Sequence, residues 1–372
     1  MSVRPITHPR IHILGLGSIG TFTAHGLKQI PDPPAVTLLL HRESLYDDYL
    51  RNKGNITLRT LDGRQISQGG YDVEVYKDDK WQTPSSTSSS SSYKTCDDHI
   101  NHLIVTVKST QTVRALRPLK PRLMRSSTIL FLQNGCGMVD EVNTHLFPDP
   151  ASRPNYITGV ISHGVTLTSP FHATHTGASS ISLGLHQHPT TDERETTLDN
   201  PDGNDKHLLQ TLLPLSPCLN ATSTPYATTH QIQLEKLAVN AFCNPVCAIH
   251  NAPNSILLAC SGPIATPRRD IMAEISNIVL HLPELSGVPG LRERFAPSRL
   301  EETVLGILER TRETVCSMVV DVRGGRETEV SFINGYWVRR GREVGVGVGV
   351  NEMLMREILA LGLVGEGRAG RG

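Results

Sequence analysis

The sequence has no excess of charge of either sign: 36 Lys and Arg stand against 36 Asp and Glu in 372 residues. That balance removes the basic footprint of a nucleic-acid-binding chain and the acidic run of a solvating tail. Long apolar runs are also missing. The longest, such as Val36 to Leu40, fall far short of the roughly 20 residues a bilayer span requires, so no membrane partner is expected. Met1 to Arg10 carries prolines and two arginines but no apolar centre, which argues against a secretory signal. Strand-like sequence begins at Ile11 and leaves little room for a transit peptide. The seven cysteines, at 96, 136, 218, 243, 247, 260 and 316, form no disulfide framework. Cys243 and Cys247 are four apart, but no Cys or His pair completes a zinc pattern. Scattered cysteines in odd number point to reduced thiols and a cytoplasmic protein. Of the 16 histidines, His172, His175, His186 and His188 sit in loop-like sequence, and no metal site is expected of them.

Buried strands and amphipathic helices alternate from the start. Ile11 to Leu14 reads as a short buried strand, Ser18 to Lys28 as a helix stopped before Pro31, and Val36 to Leu40 as a second strand. A βαβ unit in the first forty residues implies a parallel sheet. His102 to Val107, Ser127 to Leu132 and Asn155 to Val160 continue the strands, with a helix opening at Thr112 and prolines at 118 and 121 interrupting it. Two polar stretches, about 82–98 and 186–208, read as insertions. The serine run 85–92 is expected to be mobile, and neither insertion can bury enough apolar surface to carry the fold. From about Thr228 helical periodicity takes over, at Gln231 to Cys243, Asp270 to Leu282, Leu300 to Val320 and Val330 to Arg340. A glycine-rich stretch, 341–349, separates the last helices, and the tail from Gly365 is expected to fray. The fold expected is an α/β Rossmann-type domain over 1–226, then a mainly α-helical domain over 227–372.

Between the first strand and the first helix lies Gly15-Leu16-Gly17-Ser18-Ile19-Gly20. In such a loop the first glycine allows the tight turn and the second lets backbone approach a pyrophosphate. The third lets helix and strand pack closely, and the helix N-terminus faces the phosphates. The second strand ends Leu40-His41-Arg42. A carboxylate at that point would accept from a ribose 2′-hydroxyl, whereas an arginine can pair a 2′-phosphate through its planar donors. Arg42 therefore argues for NADPH, and the adjacent Glu43 leaves NADH open.

Further on, Lys236, Asn240 and Asn244 recur at i, i+4 and i+8. On a helix they form one polar stripe, with Ala238, Val239, Ala241 and Phe242 packed away from it. Such a stripe, lining a cleft, can donate to a substrate's oxygens. A desolvated lysine can also give a proton to a carbonyl oxygen as hydride reaches the carbon.

Four segments now bear on one another: Val105-Thr106-Val107-Lys108, Gln133-Asn134-Gly135-Cys136-Gly137, the stretch from Lys236 to Asn244-Pro245, and Arg326-Glu327-Thr328-Glu329 with Ile333-Asn334-Gly335. Together with the glycine loop they resemble the ketopantoate reductase (2-dehydropantoate 2-reductase) family from Ile11 to about Arg342, apart from the two insertions. The resemblance implies a C-terminal domain like that of 6-phosphogluconate dehydrogenase, with chemistry in the interdomain cleft. It implies that Lys236 is the general acid and that Glu329 contacts the nicotinamide end of the cofactor and helps set the lysine. It implies that Asn240, Asn244, Asn254 and Ser317, with Lys236, bind the substrate. Asn134, Lys108 and Val165 join the glycine loop and Arg42 as cofactor contacts. The activity so implied is reduction of 2-dehydropantoate to (R)-pantoate by NADPH, in pantothenate and coenzyme A biosynthesis. Assembly as a homodimer is left open. Two rival readings stay open too: reduction of another 2-keto acid or an imine on the same fold, and a catalytically silent cofactor-binding paralogue. The repetitive Gly345-Val346-Gly347-Val348-Gly349-Val350 departs from the family's usual Val-Pro turn.

Overall fold

The computed structural model describes residues 10–84, 93–186, 208, 216–259 and 261–369. The chain divides into two compact units, one made of Met1–Gln133 with Val139–His230 and the other of Asn134–Met138 with Gln231–Gly372. The short segment 134–138 thus leaves the strand it follows and packs with the second unit.

In the first unit the strands, in chain order, are β1 (Ile11–Leu14), β2 (Val36–Leu40), β3 (Ile56–Arg59), β4 (Gln65–Gln68), β5 (Asp72–Lys77), β6 (Lys80–Pro84) and β7 (Tyr93–Thr95). They continue as β8 (His102–Val105), β9 (Thr128–Phe131), β10 (Asn155–Ile161), β11 (Gly164–Ser169), β12 (His172–Gly177), β13 (Ile181–Leu185) and β14 (Ala221–Ser223). Six of them, in the order β5-β2-β1-β8-β9-β10, are parallel throughout. That is the strand order of the doubly wound dinucleotide-binding fold, whose switch point falls between β1 and β8. Every residue of β1, β2, β8 and β9 is buried. Burial on both faces explains why these strands read as apolar runs rather than as alternating ones.

A second sheet, β11-β12-β3-β4, lies on the Ser18–Lys28 helix. The Phe22 ring of that helix packs against the His163 and His175 rings at 5.2 and 4.9 Å. His163 Nε2 lies 2.9 Å from the Leu219 carbonyl, so Nε2 carries the hydrogen and Nδ1 accepts, taking the Ser179 N–H at 3.2 Å and His175 Nε2 at 3.0 Å. Burial holds both imidazoles below the usual histidine range.

Several expectations change here. His172 and His175 belong to strand β12, not to a loop. The flanks of the first insertion pair as β6 and β7 and extend the main sheet beyond β5, while 85–92 lies outside the described residues. So does most of the second insertion, His188 included; His186 follows β13, its Nε2 2.7 Å from Thr158 Oγ1. The stretch read as one helix from Leu300 to Val320 is two, Pro297–Arg310 and Ser317–Arg323. At the break the carbonyls of Arg312 and Thr314 accept from the N–H groups of Ser255 and Asn254, outside any helical ladder. The last helix, Gly349–Ala369, runs through 365–369, which sequence reads as frayed.

The core of the second unit gathers Phe242, Phe295 and Trp337, each fully buried, around the helices Tyr226–Ile249, Ala265–His281 and Val330–Glu343. No helix of the described residues is long and apolar enough to cross a membrane.

Candidate active site

The first unit presents the glycine loop at the carboxyl ends of β1 and β8. Gly15 has φ +103°, and a Cβ there would lie 2.6 Å from Val107 N. A Cβ on Gly20 would overlap the Gly15 carbonyl and lie 2.6 Å from Thr106 Oγ1. These two glycines are fixed by the protein itself, one by the turn and one by the helix–strand approach. Gly17 differs. A Cβ there would meet nothing within 4 Å, its φ of −77° suits any residue, and it caps the helix without a side-chain bond. The loop thus leaves open space at the one glycine that a pyrophosphate would approach, over a helix start with no acidic residue in its first turn. Among the rest of the loop, Leu16 and Ile19 pack on the first unit's core, and Ser18 Oγ accepts from Leu167 N at 3.1 Å, tying β11 to the loop.

Arg42 is exposed at the end of β2 and caps the helix Glu43–Arg51. Glu43, the residue that kept NADH open, is held by Lys77 Nζ at 2.7 Å. Lys108 is half-buried after β8, where it caps a short 3₁₀ turn. Val165 is half-buried on β11, opposite His175.

The second unit brings together Asn134, Lys236 and Glu329. Lys236 Nζ donates to Asn134 Oδ1 at 2.8 Å. The turn that carries Asn134 is pinned by Cys136 N–H donating to the Phe332 carbonyl at 2.9 Å and by Gln233 Nε2 donating to the Gly135 carbonyl at 3.3 Å. Gly135, at φ +87°, leaves no room for a side chain, since a Cβ would lie 2.8 Å from Phe332 Cβ. Glu329 is half-buried and caps the helix Val330–Glu343, whose first N–H groups return to its carbonyl. Burial pushes the Lys236 ammonium down to about 8, against the upward pull of the Glu329 carboxylate and then the Cys136 thiol. Desolvation thus outweighs attraction.

On the same helix Asn240 is half-buried and Asn244 is buried, while Ala238, Val239, Ala241 and Phe242 fill the core as the stripe pattern requires. Asn254 is more committed than its sequence position suggests. Its Oδ1 receives Cys247 Sγ at 3.5 Å and its Nδ2 donates to Thr311 Oγ1 at 3.0 Å. Ser317 is exposed at the first turn of the helix Ser317–Arg323. Sequence reasoning missed Gln233, Cys136 and Phe332 as braces of the Asn134 turn. Gln233 precedes Lys236 by three residues and so shares its helix face, which was a usable signal. The Phe332 contact is backbone-mediated and left none.

The model of "Ketopantoate reductase PanE/ApbA" matches residues 11–188, and that of its C-terminal part matches residues 229–361. The chain belongs to the ketopantoate reductase family. It is accordingly an oxidoreductase, built as a Rossmann-type domain followed by a helical one. A 2-dehydropantoate 2-reductase of Saccharomyces cerevisiae is 28% identical over 348 residues, covering 88% of this chain and 87% of that protein. A ketoisovalerate reductase of Gibberella fujikuroi is 23% identical, covering 92% of this chain and 80% of that protein. Among solved structures, a ketopantoate reductase family protein of Ralstonia eutropha superposes with a TM-score of 0.69 at 18% identity, covering 96% of this chain and all of that one.

Proposed function

We propose that this family member reduces 2-dehydropantoate to (R)-pantoate with NADPH, Lys236 acting as general acid. The observation that carries the reading is the Lys236 site. A half-buried ammonium is desolvated, hydrogen-bonded to Asn134 and within the field of Glu329, on the helix that also carries Asn240 and Asn244. A proton held near neutrality is suited to transfer, because the acid is charged at working pH yet gives the proton up readily.

The glycine loop fits a dinucleotide: Gly15 and Gly20 are fixed by packing and Gly17 faces open space. Gly15 to Gly20 would hold the pyrophosphate, Arg42 and Lys108 the adenosine phosphate, and Val165, Asn134 and Glu329 the nicotinamide half. The cofactor, when bound, supplies the hydride that the substrate's carbonyl carbon accepts. Lys236 Nζ delivers the proton to the carbonyl oxygen. Asn134 holds Nζ in place through Oδ1, and Glu329 keeps the lysine charged until the proton leaves. Asn240, Asn244 and Ser317 would donate to the substrate's carboxylate and hydroxyls. Asn254, held by Cys247 and Thr311, serves that group best by fixing the loop between the helices.

Replacing Gly17 and Gly20 separates ligand from scaffold. Gly17→Ala is expected to keep the melting temperature and to weaken NADPH binding roughly tenfold or more, because the methyl group enters the phosphate's space. Gly20→Ala is expected to lower stability by about 1–3 kcal/mol through overpacking. Calorimetric titration with NADPH and NADH, beside thermal melts, reads both. Equal affinity for the two cofactors would remove Arg42 from its assigned role.

The substrate is tested with a panel of 2-keto acids. Ketoisovalerate belongs in it, because a relative bears that name over most of this chain. Oxidation of NADPH is expected to be fastest with 2-dehydropantoate. Turnover of another keto acid without 2-dehydropantoate would sink the substrate and keep the chemistry. Tight NADPH binding with no turnover on any member would instead favour the silent paralogue.

A further inference from the structure

The Lys236 helix contains a proline. Pro245 lies inside Tyr226–Ile249 and has no N–H to give the carbonyl four residues earlier, that of Ala241. Asn334 supplies the missing donor. Its Nδ2 reaches the Ala241 carbonyl at 2.8 Å, and Asn334 is fully buried. The same Nδ2 donates to Asn351 Oδ1 at 3.0 Å. Asn351 is fixed in turn by Glu274, which accepts from its Nδ2 at 2.8 Å and from the N–H groups of Val350 and Asn351 at 2.9 and 3.0 Å. The network cannot be inverted, since both the Ala241 carbonyl and the Glu274 carboxylate can only accept. Asn334 Oδ1 finds no partner among the described residues. A buried amide with an idle acceptor carries a desolvation cost, so its presence is explained by what its donors do.

The position of this bond matters more than its energy. Ala241 stands five residues after Lys236, and Asn334 stands five residues after Glu329. The bond therefore joins the helix that carries Lys236 to the helix that begins at Glu329, at matching distances along each. We propose that Asn334 is a positioning residue that sets the spacing between Lys236 and Glu329, by tying their helices together at the carbonyl Pro245 leaves without its helical donor. The proposal rests on the reading of Lys236 as the acid.

Two roles are separable. If Asn334 only fills a carbonyl's valence, Pro245→Ala does the same, because alanine restores the helical N–H. If Asn334 spaces the helices, an alanine at 245 repairs the carbonyl and leaves the tether broken. Asn334→Ala is expected to lower the melting temperature and to reduce kcat for 2-dehydropantoate with NADPH by roughly tenfold to a hundredfold, with little change in KM. Its Lys236 amine, read by competitive labelling with acetic anhydride across pH and mass spectrometry, is expected to move up by about one pH unit as water reaches it. In Asn334→Ala/Pro245→Ala the melting temperature is expected to recover while kcat and the labelling profile do not. The double variant also provides a folded protein if the single one fails to fold. Recovery of all three together would overturn the proposal, as would wild-type kcat and labelling in Asn334→Ala. Full turnover by Lys236→Ala would sink the acid assignment instead, because labelling reports on the tether without turnover.

Discussion

Lys236→Ala is expected to lower kcat by about 10²–10⁴, the usual scale for loss of a positioned general acid. The argument begins with burial. Nζ is desolvated by the protein around it and donates to Asn134 Oδ1, a neutral acceptor. Such a lysine is an acid because of its surroundings rather than its intrinsic strength. Its depressed value of about 8 sets the direction of the pH dependence. Keto-acid reduction needs the ammonium, so kcat should be level below pH 8 and fall as pH rises through it. Oxidation of the hydroxy acid needs the free amine, so that rate should rise through the same pH. Asn134→Ala should weaken the effect less than Lys236→Ala, because the proton survives and only its placement suffers. Steady-state rates in both directions from pH 6 to 10 check this. A reduction limb unchanged in Lys236→Ala would assign the titration to another group.

Glu74→Ala is expected to destabilise the first unit by about 3–5 kcal/mol, the scale for breaking a buried ion pair from one side. Glu74 on β5 is paired in bidentate fashion with Arg122, at 2.6 and 3.0 Å, and both side chains are more than nine-tenths buried. His12 Nε2 stands 3.7 Å away, and Arg122 Nε donates to the Asp98 carbonyl at 2.8 Å. Removing the carboxylate leaves the guanidinium buried without a counter-charge. Burial alone would raise the Glu74 carboxyl. The nearby His12 imidazole and the hydrogen bonds and charge of Arg122 outweigh it and hold the group at about 2, against an ordinary 4.5. A carboxyl lowered in the folded state contributes stability above its unfolded value and loses it as pH falls through the folded one. Roughly 3 kcal/mol should therefore disappear between about pH 5 and 2. Denaturant melts of wild type and Glu74→Ala across that range should converge as pH falls. Parallel curves would show that Glu74 is not the source of the acid sensitivity.

The parts of the fold visible in sequence were those with a strong local cause. β1, β2, β8 and β9 are buried on both faces, so their apolar runs were conspicuous. The glycine loop combines a turn, a close approach and a helix start within six residues. Half of the four-stranded sheet lacks apolar alternation: β4 reads Gln-Ile-Ser-Gln, and β12 reads His-Ala-Thr-His-Thr-Gly. What joins the two hairpins, β3–β4 and β11–β12, is the distant pairing of β12 with β3 and contact with the Ser18–Lys28 helix, which no window of sequence contains. At the site, Lys236, Asn240 and Asn244 were legible from spacing alone. Their relation to Asn134 and Glu329 was not, since those residues lie about a hundred positions away on either side and meet the lysine only through tertiary packing. Asn334 was legible as part of a motif and opaque as to purpose. Its partner is the carbonyl of Ala241, and a proline four residues downstream created the need.

The excursion of residues 134–138 bears on how this protein can be made and cut. The chain enters the second unit at Asn134, leaves it after Met138 and returns at Gln231. A fragment beginning at Gln231 would lack Asn134, the acceptor for Lys236, and the Cys136 N–H bound to Phe332. The second unit is therefore not a module that gene fusion or proteolysis can lift out whole. On the ribosome its final packing must wait for the carboxyl-terminal helices to emerge, with five residues synthesised long before held in reserve. Split-protein complementation, with the break at an exposed site beyond Met138, should succeed only when both pieces are present from the start of refolding.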